Sequence, residues 1–226
     1  MKRKYIIAID GPSGAGKSTV SKKLAKKLGY LYLDSGALYR AAALYARQKG
    51  VDLEAPEKVE QLCKNLPLEL HRKGDKFEIV LEGQDVSEAL RAPRMGLAAS
   101  KVSAYPGVRG CLLKIQRELG LKGGVVAEGR DMGTVVFPEA EFKFFLSASC
   151  EERGKRRYLE LREKGFSVEL DTIIREIRMR DEDDSSRELA PLKPAADAIT
   201  IDCSSLSANE VVEIMLKRID EQAGKE

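Results

Sequence analysis

The stretch Gly11-Pro12-Ser13-Gly14-Ala15-Gly16-Lys17-Ser18-Thr19 constrains this chain more than any other, because glycine, four residues, glycine, lysine and serine is the spacing of a phosphate-binding loop. Its flanks supply the required context. Tyr5-Ile6-Ile7-Ala8-Ile9 is a β-branched apolar run that reads as a buried strand, and residues 20–28 have helical spacing. In such a strand, loop and helix, the glycines turn backbone N–H groups onto an anion and the helix adds the positive end of its dipole. Lys17 would reach the β- and γ-phosphates of a nucleoside triphosphate, and Ser18 would ligate Mg2+. The alternative, a Gly-rich turn capping a surface helix, is disfavoured by the flanking elements.

With 226 residues, 43% of them hydrophobic, the chain has material for a sizeable core, and no linker or repeat divides it. A single compact domain over residues 1–226, with insertions, is expected. A net charge of +3 from 39 basic and 36 acidic residues argues against general nucleic-acid or membrane binding. No apolar run approaches the roughly 18 residues that span a bilayer. Met1-Lys2-Arg3-Lys4 leads directly into the first strand rather than a cleavable signal, so a cytoplasmic location is expected. Cys63, Cys111, Cys150 and Cys203 are too scattered for a zinc site and read as reduced, small apolar fillers.

Further strands are expected at 30–34, 125–127, 142–146 and 198–201, each followed by helix-compatible sequence. With the first strand these make a five-stranded, mainly parallel sheet with helices on both faces, whose ligands bind at the strand carboxyl ends. The loops at 10–17, 34–36 and 128–131 all fall there. Between them, residues 68–71 and 77–81 flank Arg72-Lys73-Gly74-Asp75, a β-hairpin signal that marks an antiparallel insertion. From Glu151 to Arg187 the chain is densely charged, with two helical stretches broken at Gly165. Most of these charges read as solvated faces with intrahelical pairs such as Glu152 with Arg156.

The chain resembles the bacterial-type cytidylate kinases of the nucleoside monophosphate kinase family. The matching stretches are the loop at 11–19, Leu33-Asp34-Ser35-Gly36-Ala37-Leu38-Tyr39-Arg40, Glu128-Gly129-Arg130-Asp131-Met132-Gly133-Thr134-Val135-Val136-Phe137-Pro138, and Arg180-Asp181 through Asp184-Ser185-Ser186-Arg187 to Ala190-Pro191-Leu192. The first is common to many NTPases, whereas the other three together are specific, and all four are collinear over nearly the whole chain. The resemblance implies an α/β P-loop fold of three layers, an inserted α+β monophosphate-binding region at about 50–106 and a helical lid at about 151–187. It departs from the family pattern at Arg91-Ala92-Pro93-Arg94-Met95-Gly96-Leu97, where Thr or Ser at 92 and Glu-Val at 94 and 95 are usual.

The activity implied is transfer of the γ-phosphoryl group from ATP to CMP or dCMP with Mg2+. The acceptor is already an anionic oxygen, so positioning and charge neutralisation suffice and no Ser, Cys or His nucleophile is needed. A single histidine, His71 in the hairpin, suits that chemistry. By the resemblance, Lys17, Arg130, Asp131 and Arg187 are catalytic, and Gly11 to Thr19 bind ATP, with Arg157 on the donor-phosphate side. Ser35, Tyr39, Arg40, Ser100, Arg109, Arg130, Asp131, Arg180, Asp184 and Arg187 bind CMP. A carboxylate at Asp131 accepts from the exocyclic amine of cytosine, where uracil presents the opposite pattern. Plainer readings also exist. Ser35 reads as a helix N-cap, Tyr39 and Arg40 as a solvated helix edge, and Arg130-Asp131 as a turn salt bridge.

A kinase for another monophosphate or a small metabolite is the nearest alternative, and a regulatory NTPase a more distant one, weakened for GTP by the absence of an Asn-Lys-x-Asp motif. A nucleic-acid module built on the Arg-rich helices is opposed by the acidic residues interleaved among them. Small-molecule partners, no membrane and a monomeric state are expected.

Overall fold

Alternation along β1 (Ile6–Asp10) sends Ile7 and Ile9 to one face of a sheet and Ala8 to the other, all three fully buried. The computed structural model describes residues 4–74, 76–92 and 94–223. Asp75 of the expected hairpin turn and Pro93 of the 91–97 stretch lie outside the described residues, as do Met1, Lys2 and Arg3.

The sheet is built from β1, β2 (Leu31–Asp34), β6 (Val125–Gly129), β7 (Phe142–Ser147) and β8 (Ile199–Asp202), parallel in the order β2-β6-β1-β7-β8. The five expected strands are all present, within one or two residues at their ends. On the Ile7 face lie α1 (Lys17–Leu28) and α8 (Ala208–Ala223), whose Leu24 and Met215 are fully buried there. The Ala8 face is covered by α2 (Ser35–Gln48), α4 (Met95–Val102) and α5 (Pro106–Gly120), with α3 (Pro56–Cys63) against them. α2 turns an Ala-rich side (Ala41, Ala42, Ala46) inward, which lets it approach the sheet closely.

The expected hairpin forms as β3 (Leu68–Lys73) and β4 (Lys76–Leu81), and it does more than hang from the core. β4 also pairs with β2 at Tyr32, and short β5 (Gln84–Asp85) pairs β4, so the inserted strands continue the central sheet. His71 is exposed on β3 beside Glu69. At the departure from the family pattern, Met95 opens α4 and is buried, leaving a regular helix.

The charged segment folds as α6 (Cys150–Glu163) and α7 (Leu170–Ser186), separated at Gly165 with φ 82. They share a small apolar core of Leu161, Ile173 and Ile177. All four cysteines are free. Among the described residues, no helix is long and apolar enough to cross a membrane.

Candidate active site

β1, β2 and β6 end side by side at the carboxyl edge of the sheet, with Asp34 opposite Glu128 and Asp10 one position further on, opposite Gly129. Beyond Asp10 the chain turns sharply. Gly11 sits at φ 148, and a Cβ there would lie 2.1 Å from the Leu146 carbonyl oxygen of β7, so the turn admits only glycine. Gly16 caps α1 from the left-handed region at φ 92, and no acidic residue occupies the first turn of that helix. The positive helix end therefore carries no internal counter-charge. Lys17, the first residue of α1, is buried, and its Nζ donates to the Pro12 carbonyl at 2.7 Å. Burial and the Arg130 charge hold its pKa below that of an ordinary lysine, with Glu128 opposing.

Parity along the strands sorts the acids. Glu128 shares the α1 side of the sheet with Tyr32 and Val126, whereas Asp10 follows Ile9 and so points to the opposite side. Tyr32 donates its phenolic hydroxyl to Glu128 Oε1, and the Ser18 side chain lies against the same carboxylate. Burial, then Asp34, pushes the Glu128 carboxyl upward despite Lys17. Asp10 accepts the backbone N–H groups of Met132 and Gly133, each at 2.8 Å, and burial pushes it up to about 6. That pair of bonds pins a single wide helical turn, Met132–Val136, immediately after Asp131.

The arginines gather around Asp184, which is 2% exposed. Its oxygens accept from Arg130 Nε at 3.0 Å and Arg187 Nη2 at 2.5 Å, with Arg180 Nε at 3.9 Å. Burial alone would raise this carboxyl, but the Arg130, Arg187 and Arg180 charges hold it below the usual range. Arg187 also donates to the Ser100 hydroxyl at 3.0 Å. Arg180 Nε is buried with no hydrogen-bond partner, and burial and the Arg130 charge lower its pKa to about 10. Three cations facing one carboxylate leave net positive charge for an anionic ligand.

Asp131 Oδ2 accepts from Arg109 Nη2, and the Arg109 guanidinium stands 5.7 Å from the centre of the Tyr39 ring. Burial raises the Asp131 carboxyl, opposed by Arg109. Arg130 and Asp131 thus turn to different partners, which removes the plain turn salt bridge as an account of the pair. Tyr39 is buried and Arg40 donates to Asp34 Oδ2 at 2.7 Å, so neither is a solvated helix edge.

Several expectations need correction. The N-cap of α2 is Asp34, whose Oδ1 accepts from Ala37 N at 3.0 Å; Ser35 is the first helical residue and its hydroxyl faces Gly129. Asp34 wins because its longer side chain reaches the free N–H groups from outside the helix. Glu152 pairs with Lys155, not Arg156, because Arg156 is drawn inward to the Cys203 and Ser204 carbonyls. Arg157, expected on the donor-phosphate side, needs no such correction: it pairs with Glu160 at 2.7 Å and lines the same cleft as the loop at 11–19. Not all of the charged segment is solvated either. Arg153 is buried and bridges the Ser13 carbonyl at 3.0 Å to Asp181 at 2.6 Å, tying both helices to the phosphate loop.

A cleft of about 1240 Å3 is lined by Ser13, Gly14, Gly16, Lys17, Ser18, Thr19, Asp34, Arg40, Arg157 and Arg180. It exceeds the roughly 300–1,000 Å3 of a pocket for one small ligand. Tyr39, Ser100, Arg109, Arg130, Asp131, Asp184 and Arg187 do not line it. The residues missed by sequence reasoning are Glu128, Tyr32, Asp10 and Arg153. For Tyr32 a signal existed, since it stands two positions before Asp34, the last residue of β2, and so shares its face.

The family model described as cytidylate kinase matches residues 7–221. The chain belongs to the cytidylate kinase family. A cytidylate kinase of Syntrophotalea carbinolica is 50% identical over 98% of this chain and 94% of its own length. One from Vibrio cholerae serotype O1 is 50% identical over 95% of this chain and 96% of its own. Among solved structures, a gluconokinase from Sinorhizobium meliloti 1021 aligns with TM-score 0.50 at 16% identity, covering 99% of this chain and 97% of that one. An uncharacterized protein from Eubacterium ventriosum aligns with TM-score 0.52 at 14% identity, over 97% and 99%. These two likenesses concern the fold alone. As a cytidylate kinase family member the chain is an ATP-dependent phosphotransferase acting on CMP or dCMP.

Proposed function

We propose that phosphoryl transfer from ATP to CMP or dCMP is performed by two adjoining sets of residues, a donor set on the loop at 11–19 and an acceptor set around Asp184 and Asp131. The observation that carries this reading is the gathering of three half-buried arginines, Arg130, Arg180 and Arg187, on one buried carboxylate, Asp184, at the same sheet edge as the buried Lys17.

On the donor side, the backbone of Gly11 to Thr19 and the first turn of α1 hold the β- and γ-phosphates, and Lys17 leaves the Pro12 carbonyl to follow the migrating charge. Arg157 leaves Glu160 to reach the donor phosphates. On the acceptor side, Arg130, Arg180 and Arg187 take the CMP phosphate, with Arg40 and Ser35 beside it. Asp184 keeps the arginines aligned in the meantime, and an anionic ligand satisfies the unpartnered Arg180 Nε. The attacking group is a phosphate oxygen, so this arrangement contributes alignment and charge neutralisation rather than proton abstraction.

The donor set also fits Mg2+. Ser18 lies against Glu128, and one hydroxyl with one carboxylate plus substrate phosphates is the hard-oxygen environment this ion takes in kinases. Ser18 would hold the ion with Glu128 beside it, and when bound it would neutralise charge on the β- and γ-phosphate oxygens. Residues 50–106 form the monophosphate-binding insert and 151–187 the lid in this reading, within one domain acting as a cytoplasmic monomer on small molecules and not on nucleic acid.

Cytosine is selected at Asp131, with Ser100, Arg109 and Tyr39 around it. Arg109 occupies Oδ2, which leaves Oδ1 to accept from the exocyclic amine. Because Asp131 is only 3% exposed, its cover shifts to admit a base. Asp131→Asn keeps the size and offers an amide donor to uracil, so kcat/KM for CMP falls more than for UMP. A hydrogen bond to an ionised group is worth about 1.5–3 kcal/mol, so the CMP to UMP ratio drops by about tenfold or more. A ratio that stays fixed while both activities fall would make Asp131 an organiser of the loop instead of the selector.

A further inference from the structure

The phenol of Tyr32 is spent on an acid at the reaction centre. A buried tyrosine hydroxyl needs a partner, and any nearby carbonyl would serve. Here it donates to Glu128 Oε1 across two neighbouring parallel strands, in a pair whose members are 9% and 3% exposed. The register fixes the encounter. Tyr32 lies opposite Val126 and Asp34 opposite Glu128, so Tyr32 stands two residues behind the end of β2 on the same face as the acid. Behind the phenol are the apolar side chains of the α1 layer, and in front are Ser18 and Lys17, which share the cleft wall with Tyr32.

A glutamate has one more rotatable bond than an aspartate, so the backbone restricts its outer torsions less and leaves several staggered rotamers open. The Tyr32 hydroxyl makes that choice by holding Oε1, and the Ser18 side chain meets the same carboxylate. We propose that Tyr32 is a positioning residue for Glu128, aiming its carboxylate at Ser18 so that the loop binds ATP with its divalent cation better than ATP alone. The inference rests on the reading of Ser18 and Glu128 as the cation-holding pair. A partner behind a metal-linked carboxylate commonly changes metal affinity by about 10- to 100-fold, so the effect is measurable.

The test is the affinity for ATP by calorimetry, in Mg2+ and again in EDTA, for the wild-type chain and for Tyr32→Phe. The expected result is a fall of about tenfold in the ratio of the two affinities, with the EDTA affinity and the KM for CMP changed less than about twofold. Glu128→Gln should lower the ratio at least as far, and Tyr32→Phe added to it should lower the ratio no further. An equal loss with and without Mg2+ would assign Tyr32 to packing and overturn the proposal, as would no loss at all. If Glu128→Gln leaves the ratio intact, the cation reading fails and the proposal falls with it; if only Tyr32→Phe leaves it intact, the proposal alone fails. Should Tyr32→Phe not fold, Tyr32→His keeps an N–H donor of shorter reach. An about threefold loss of the ratio at unchanged EDTA affinity then supports the proposal, and an unchanged ratio overturns it.

Discussion

Lys17→Ala lowers kcat/KM for phosphoryl transfer by at least about 10³-fold while the chain stays folded, because removing a cation that stabilises transition-state charge in a dry site costs about 10²–10³ before its role in binding is counted. The structural side of the expectation is equally specific. Lys17 is the first residue of α1, its Nζ donates to the Pro12 carbonyl, and it belongs to neither apolar cluster that flanks the sheet, so alanine at 17 leaves the apolar core intact. It also relieves a buried cation whose charge is disfavoured by burial and by Arg130. The melting temperature should shift by only a few degrees, measured by circular dichroism beside the rate. Near-normal turnover in a folded Lys17→Ala chain would end the kinase reading of the loop.

Asp184→Asn carries the second large effect, and here stability and activity move together until ligand is added. The carboxylate is 2% exposed and faces Arg130, Arg180 and Arg187. Taking its charge away leaves three cations without their counter-ion, and breaking a buried pair from one side costs about 3–5 kcal/mol. The empty variant should therefore unfold at a clearly lower urea concentration than the wild type. A bound monophosphate supplies the missing negative charge, so saturating CMP should restore more stability to Asp184→Asn than to the wild type. Catalytic efficiency should fall about 10²-fold, since the arginines lose their common anchor. Equal destabilisation with and without CMP would mean that the cluster braces α7 and is not the acceptor-phosphate site.

The parts of this molecule that sequence made legible are those governed by local rules. Glycine spacing at 11–16, β-branched runs at 6–9 and 125–127, and the Gly165 break all carry their structure within a few residues. The parts that stayed hidden depend on partners far along the chain. Gly133-Thr134-Val135-Val136-Phe137 has the composition of a strand, yet it forms one wide helical turn because Asp10, more than 120 positions earlier, takes the N–H groups of Met132 and Gly133. Arg153 looks like one more cation on a solvated helix until Ser13, 140 positions away, is brought beneath it. Arg156 has a helical partner in Glu152 by spacing alone, but carbonyls beyond β8 take it instead.

The acceptor site shows the same division. Motifs identified its members by number, but not which cation would meet which carboxylate. Arg130 and Asp131 are sequence neighbours at a strand end, where successive side chains diverge, so one turns to α7 and the other to α5. The resulting pairs, Arg130 with Asp184 and Arg109 with Asp131, form two separate clusters, proposed above to take the phosphate and the base respectively.

The measurement that bears most directly on this account is ADP release from ATP and Mg2+ in a coupled assay, with CMP, dCMP, UMP, AMP, GMP and shikimate offered separately as acceptors. The account predicts that CMP or dCMP gives the highest kcat/KM, above UMP by about tenfold or more, with little ADP released for the purine nucleotides, for shikimate or for water. UMP used as well as CMP, or ADP released at the same rate whichever acceptor is present, would contradict it.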